Sequence, residues 1–399
     1  LVLEGGTYRR AHRPAWSPDR LRCQLYTGRC SAFRRALYER IGGIRTEAGT
    51  ARWHDLALRA GEAASGVRHI TAPLLRRNAP AAAIDPADQI RVVGEHCARV
   101  GIAVDAIEAT GTPGIVALRR TVVGEPKVSV VIPSFGPHAS VRGEERSLLE
   151  SIVGDLVHRT SYRNLEILVV PDPDSPADVM ARVAAIDPER VRVLDPVPRP
   201  FNYSVKVNVG AAQATGEYLL FLNDDTEVTH PDWIEPMLAL AQQPDVGMVG
   251  AYLRFEDESI QHAGVFLHGG PGHIGFRTRP EDFVEPELLE VERECITITG
   301  ACMLMPYDVY DDLGGHTLIL PSNWDDVDLG LKVVTSGRRV VWTPHARLYH
   351  YESMSRDPWV QYFELLRFWG RWAAEVLADP YYIPTTGPSS YAWPAARWR

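Results

Sequence analysis

From residue 128 onward, short apolar runs alternate with amphipathic stretches. "VSVVIP" (128–133), "LEILVV" (165–170), "VRVLD" (191–195) and "EYLLFL" (217–222) have the length and apolar character of buried strands. Residues 142–158, 178–186, 204–215 and 231–242 between and after them read as helices. Such alternation predicts an α/β fold whose largely parallel sheet is covered on both faces. Ligands of such sheets gather beyond the carboxyl ends of the strands, so the residues that follow each apolar run carry the interest.

Upstream, Asp85 and Pro86 suit the cap and first turn of a helix with Ile90, Val93, Cys97 and Val100 on one face, ended by Gly101. "IAVDAIEA" and "GIVALRR" then alternate as two strands joined by a Gly-Pro turn. A helix–hairpin linker over 83–126 is expected.

The chain also repeats itself. "YTGRCSAFRRALYERIGG" (26–43) lies without a gap over "ITGACMLMPYDVYDDLGG" (298–315), pairing Thr27 with Thr299, Cys30 with Cys302 and Gly42–Gly43 with Gly314–Gly315. After a one-residue shift Trp53 meets Trp324, Asp55 meets Asp326, Gly66 meets Gly337 and Pro73 meets Pro344. A period this long is no solenoid. It predicts a duplicated domain of which residues 1–82 hold only the C-terminal half, a complete copy over 127–378 and a tail over 379–399. The opening at Leu1 fits the same truncation.

Composition narrows the classes. With 399 residues, 45% hydrophobic and 23% charged, the chain has enough material for two or three cores. Five cysteines without a C-x-x-C pair fit reduced thiols better than a disulfide frame. No apolar run reaches the ~18 residues that span a bilayer and no signal peptide is visible, so the cytoplasm is the expected compartment. Net charge is −9, unevenly spread: residues 1–120 hold 19 Arg and no Lys against 11 acids, which leaves −17 for the remainder. An acidic second half argues against nucleic acid as a partner.

Two acidic stretches carry candidate chemistry. "LNDDTEV" (222–228) brings Asn223, Asp224 and Asp225 out of a buried run, where hard oxygen ligands suit Mg²⁺ or Mn²⁺; a polar strand-end turn is the plainer reading. "NWDDVDLGL" (323–331) places Asp325, Asp326 and Asp328 at a helix start, where carboxylates serve as caps whatever the protein does.

The order "VSVVIPS", "LEILVVPD", "NVGAAQATGEYLLFLNDDTEV", "ITGACML", "LGG", "WDDVDLGLKV", "TPHARLYHYES" resembles family 2 glycosyltransferases, inverting GT-A enzymes that use nucleotide-diphospho-sugars. The similarity covers about residues 127–378, and residues 20–80 resemble the second half of another such domain. "RPFNYSVKVNVGAA" and "IQHAGV" resemble the bacterial surface-polysaccharide, rhamnosyl-type branch. The resemblance implies a metal-dependent hexosyl transfer from a dTDP- or UDP-linked donor to a saccharide or lipid-linked acceptor, by single displacement with inversion.

Residue by residue, it implies that Asp225 and His350 hold the Mn²⁺ or Mg²⁺, that Asp224 helps there or at the donor, and that Asn223 contacts the ribose. Asp326 becomes the base that takes the acceptor proton, with Asp325 beside it and Trp324 before it on the acceptor side; Asp328 is left as a cap. Donor contacts fall to Pro133 and Ser134, to Asp172, which follows Pro171 in the usual acidic slot, and to Lys206. Thr299 and Gly300 line the floor near the sugar. His262 is an acceptor or phosphate contact, or else a satisfied core histidine. "HGGPGHIGF" (268–276) is expected as a mobile loop over the site.

The tail opens with Asp357 and Pro358 and carries an apolar stripe of Trp359, Phe363, Leu366, Trp369 and Ala373. Docking on the inner face of a membrane and packing on its own domain are the two readings, packing being preferred. Two rivals to the transferase stand open: a nucleotidyltransferase, which lacks its Gly-rich basic loop here, and a non-catalytic saccharide-binding module.

Overall fold

The computed structural model describes residues 2–4, 7–9, 13–28, 30–72, 74–75, 83–136, 138–351 and 360–382. Pro73, Asp357, Pro358, Trp359 and most of the expected tail lie outside them. The chain forms two compact units. One takes in the residues up to Thr121 with Glu285–Glu294, the other Val122–Val284 with Cys295–Asp379.

In the first unit β1 (Val2–Glu4) pairs with β2 (Thr7–Arg9), and α1 (Pro18–Cys23), α2 (Arg35–Arg40) and α3 (Arg52–Ala63) follow. The expected helix is α4 (Pro86–Val100), capped by Asp85 on the Ala87 amide and closed by left-handed Gly101. The hairpin is β3 (Val104–Ala109) with β4 (Val116–Arg120). Its packing differs from expectation. Gln89, Val92, Val93, His96 and Cys97 form the buried face of α4, and Val92, Val93, Cys97, Ile115 and Leu118 share one core with Leu21, Tyr26 and Leu58. The stretch 83–121 is thus part of a unit, not a spacer.

The second unit is a mixed sheet flanked by helices. Its strands are β5 (Val128–Ser134), β8 (Leu165–Pro171), β9 (Val191–Val193), β10 (Tyr218–Leu222), β11 (Thr226–Val228), β12 (Val246–Arg254), β17 (Cys302–Pro306) and β18 (Arg339–His350), in the spatial order β11-β18-β12-β17-β10-β5-β8-β9. The four strands read from the sequence form the parallel block β10-β5-β8-β9, and β17 runs antiparallel to both β10 and β12. Helices α5 (Leu148–Gly154), α6 (Ala177–Ile186), α7 (Tyr203–Ala212) and α8 (Ile234–Ala241) intervene, and Val130, Ile132, Leu149, Ile152, Trp233 and Met237 belong to one fully buried core.

Two expectations are corrected. Residues 142–158 are not one helix, because β6 (His138–Val141) and β7 (Glu144–Ser147) form a hairpin before α5 starts. Arg142 and Gly143 both have positive φ, 51° and 81°, as a two-residue hairpin turn of the primed type requires. The glycine-rich loop is largely a second hairpin, β14 (Val265–Leu267) with β15 (Pro271–His273), after the short β13 (Ile260–His262). β16 (Arg293–Cys295) marks the passage of the chain back into the second unit, which ends with α9 (Tyr307–Asp312), α10 (Asp325–Thr335) and α11 (Tyr362–Val376). Among the described residues no helix is long and apolar enough to cross a membrane.

The stretches that match in sequence share a local turn, seen in each unit taken by itself. α2 and α9 occupy matching positions, and each ends in a pair of left-handed glycines, Gly42 and Gly43 (φ 75° and 65°) or Gly314 and Gly315 (φ 72° and 63°). The Gly43 amide donates to the Tyr38 carbonyl and the Gly315 amide to the Tyr310 carbonyl. Each tyrosine hydroxyl then accepts from the next amide, Ile44 or His316, at 3.3 Å. A Cβ on Gly43 or Gly315 would stand 2.9 or 3.1 Å from that ring, so the turn admits only glycine.

Candidate active site

Parallel pairing puts the ends of β5, β8 and β10 along one edge: Ser134 is opposite Pro171, and Asn223 follows where β10 stops. Three groups of side chains gather there. In the first, Lys206, buried on α7, lies 3.1 Å from Asp172 and donates to the Ser134 carbonyl at 3.1 Å. The Ser134 hydroxyl donates to Asp224 and accepts from the Gly136 amide. Burial lowers the Lys206 pKa, and Asp172 opposes it. The Asp224 carboxyl is pushed up to about 7, by burial first and then by the charge of Asp225.

The second group forms because β11 runs antiparallel to β18 with Thr226 opposite His350. The Tyr351 amide donates to the Asp225 carbonyl, and His350 Nε2 lies 3.1 Å from Asp225 Oδ1. Both side chains are buried. Among the described residues no cluster of three or more His, Cys, Asp or Glu is arranged to hold a metal ion. The chain supplies one carboxylate and one imidazole, with the Asp224 carboxyl turned to Ser134. Divalent ions of this class commonly take one or two protein carboxylates and complete their shell with substrate phosphates and water. This donor set fits that pattern.

The third group surrounds Asp326 at the start of α10. Both its oxygens accept backbone amides, Oδ2 from Gly300 at 2.9 Å and Oδ1 from Val327 at 2.8 Å. Thr297 Oγ1 also donates to its carbonyl. The Tyr203 hydroxyl reaches the Gly300 carbonyl and Asn223 Oδ1, each at 3.4 Å, and so links the Asp326 floor to the end of β10. Trp324 sits in the left-handed region at φ 61°, rare for a bulky residue, with its ring against Phe368. Backbone strain two residues before a half-buried carboxylate marks the place as constrained.

Several neighbours depart from expectation. Asp328 is no solvated cap. It is fully buried and bonded to Thr317 Oγ1 at 2.6 Å, Trp372 Nε1 at 2.8 Å and Arg371 at 3.1 Å. Asp325 is buried too, its Oδ2 lying 3.6 Å from Nε2 of His316, an imidazole that burial pushes down to about 3. His262 has no exposed surface. It meets His273 at 2.9 Å and accepts from the Gly264 amide, the surroundings of a core histidine. Pro133 and Thr299 are buried near the strand edge and the Gly300 floor.

Sequence reasoning missed Tyr203, His316 and Glu364. Glu364 is fully buried on α11 and accepts from the Ser322 and Asn323 amides and from Asn323 Nδ2 at 2.9–3.0 Å. The loop that leads into Trp324–Asp326 is therefore pinned by the C-terminal helix. Gln361 and Glu364 form a capping box, whose spacing is readable in sequence; its reach to residue 322 is not.

Comparisons with known proteins agree with the motif order. The model of a family described as glycosyltransferase like family 2 matches residues 126–373, more than half of the chain. The O-antigen biosynthesis protein RfbC of Myxococcus xanthus is 34% identical over 395 residues, covering 93% of this chain and 30% of that protein. The uncharacterized protein y4gI of Sinorhizobium fredii (strain NBRC 101917 / NGR234) is 33% identical, covering 96% of this chain and 44% of that protein. The chain thus spans less than half the length of these curated relatives. Among solved structures, the mannosyltransferase PcManGT from Pyrobaculum calidifontis, in complex with GDP-Man and Mn²⁺, is 17% identical with a TM-score of 0.44 over 59% of each chain. GalNAc-T7 with UDP, GalNAc and Mn²⁺ is 15% identical with a TM-score of 0.48, over 63% of this chain and 50% of that one. The second unit is a mixed α/β sheet flanked by helices, as the motifs led one to expect, and the chain belongs to the glycosyltransferase-like family 2.

Proposed function

We propose that the second unit transfers a hexosyl residue from a nucleotide-diphospho-sugar to a saccharide or lipid-linked saccharide by single displacement with inversion. The observation that carries this reading is the carboxylate of Asp326, held by two backbone amides and linked through Gly300 and Tyr203 to the acidic end of β10. Asp326 takes the proton of the acceptor hydroxyl as that oxygen bonds to the anomeric carbon. The bond from that carbon to the diphosphate oxygen breaks, and the leaving group departs with the electron pair. A positioned base of this kind contributes ~10²–10⁴-fold in rate.

Asp225 and His350 would hold a divalent cation, Mn²⁺ or Mg²⁺, together with the donor phosphates. When bound, it neutralises charge developing on the leaving diphosphate. Lys206 and Asp172 with Ser134, Pro133 and Asn223 bind the nucleotide portion, dTDP or UDP. Asp224, with its carboxyl near neutrality, bridges the two groups. Trp324 and Asp325 shape the acceptor side. The name of the Myxococcus relative supports a role in O-antigen-like polysaccharide synthesis. The matched turns at Gly42–Gly43 and Gly314–Gly315 support a tandem origin.

A panel of nucleotide-sugars, screened for binding and hydrolysis with and without Mn²⁺ or Mg²⁺, tests the reading. At least one dTDP- or UDP-sugar should bind in a metal-dependent manner, and Asp225→Ala should remove that dependence. If no nucleotide-sugar binds with either metal, the proposal fails.

A further inference from the structure

α11 has two apolar faces, and among the described residues one of them packs into a core. Phe368, Trp372 and Val376 pack into a core with Leu331 and Val327. Of the stripe expected to pack, Trp369 does lie against that core, but Phe363 and Leu366 are 41% and 55% exposed, and Tyr362 and Leu377 near them are 68% and 73% exposed. At 100° per residue Tyr362, Phe363, Leu366 and Gly370 fill an arc of about 100°; Trp372, at φ −122° and ψ 18°, then interrupts the helix, and Ala373, Ala374 and Leu377 are exposed beyond it. Leu318 and Ile319, 55% and 45% exposed, extend it, and Arg367 ties that loop on by donating to the Ile319 carbonyl at 2.9 Å. Isolated exposed leucines are ordinary; large apolar side chains gathered on one helix and the adjoining loop are not.

Charge selects the occupant. One border of the arc is formed by Arg367, whose guanidinium lies over the Phe363 ring, and Arg371, which also meets Thr317 and Asp328. The acidic residues of the helix lie elsewhere: Glu364 is turned into the core and Glu375 is half-buried on the opposite side. The exposed arc itself bears no acid. A flat apolar face with an aromatic at one end and a cationic flank matches the boundary between acyl chains and anionic headgroups. A protein partner would more often meet a few central anchors inside a polar rim.

We propose that α11 and the adjoining 318–319 loop dock this chain on an anionic lipid bilayer, with the helix lying in the headgroup plane. The inference stands apart from the transferase reading, since it concerns the outer face of a helix whose inner face carries Glu364. Were both true, docking would bring the Trp324–Asp326 loop to lipid-linked acceptors.

The test is flotation of the 399-residue chain with phosphatidylcholine vesicles, with and without phosphatidylglycerol. The chain should float only with the anionic vesicles. Leu366→Ser combined with Leu377→Ser should weaken partitioning by about tenfold or more, as expected for losing buried apolar groups. Arg367→Ala, which leaves the apolar contacts in place, should weaken it several-fold, an effect erased at high salt. The proposal is overturned if the chain does not float, if the double variant floats as well as the parent, or if Arg367→Ala changes nothing. It is equally overturned if the parent is a dimer that the double variant dissociates without change in flotation, since the face would then join two copies.

Discussion

In both units a short helix ends in two left-handed glycines beneath a tyrosine ring, and a second helix then presents a carboxylate at matching positions, Asp55 on α3 and Asp326 on α10. The surroundings of the two acids are opposite. Asp55 is fully buried and gripped by Arg45 and by Arg59, whose Nη2 lies 2.7 Å away. Burial pushes its pKa up, but the bonds to Arg45 and Arg59 outweigh that and hold the carboxyl below the usual range. The positions that correspond to the two arginines are Thr317 and Gly330 in the second unit. Gly330 packs so tightly that a Cβ would fall 2.0 Å from Thr297 Oγ1, so no basic side chain reaches Asp326 from there. The same carboxylate is thus a structural anion between two arginines in one unit and a group whose two oxygens accept backbone amides in the other. A repeat found in sequence locates equivalent positions; the partners decide what each does.

The comparison can be broken at several points. The largest stability effect is expected from Asp55→Asn, which leaves the buried Arg59 without its counter-charge and Arg45 with Glu95 alone. Breaking such a pair costs about 3–5 kcal/mol, and hydrogen exchange in α3 and α4 should rise accordingly while transfer by the second unit continues. If Asp55→Asn instead abolished transfer with exchange unchanged, the first unit would hold a working site.

A second effect is shared by the units. His54 is buried and pushed down to about 4, and His316 to about 3, in each case mainly by burial. An unfolded histidine binds its proton below about 6.5 while these folded ones do not, so stability is full above that pH and falls as the pH drops toward 4. Thermal unfolding should show a midpoint lowered by at least several degrees between pH 7 and pH 4. A flat profile would mean that these imidazoles are charged in the folded protein.

The smallest effect separates the two tyrosines. Tyr310 also meets Asn208 and His316 Nδ1 in the interior, whereas Tyr38 makes its bond at the surface. Tyr310→Phe should cost about 1–3 kcal/mol by stranding buried partners, and Tyr38→Phe less than about 0.5 kcal/mol. Equal costs in urea unfolding would contradict the difference in burial.

Legibility followed the range of the interactions. The parallel block was readable because each run needs only its own residues to look like a strand, and α4 because cap, proline and terminal glycine are local. β12 escaped notice. Its glycines interrupt the apolar pattern, yet Gly250 is required there, since a Cβ would stand 2.5 Å from Ile298. The hairpin at Arg142–Gly143 was hidden because arginine is an uncommon occupant of a left-handed position. At the site, motif order picked out Asp225, His350 and Asp326, and the fold brings the first two together at a strand edge. Asp328 and Glu364 could not be assigned, because their partners lie across 44 and 41 residues of chain. α11 shows the same limit: two apolar faces are written in it, and only the tertiary fold says which is inside.

The central claim is that Asp326 is the base. Asp326→Asn preserves the side-chain oxygen that accepts the Gly300 amide and removes the proton acceptor. With the donor identified by the nucleotide-sugar screen, transfer by this variant should fall by ~10²–10⁴-fold while metal-dependent donor binding stays at the parent level. Transfer at the parent rate with unchanged donor affinity would contradict the account.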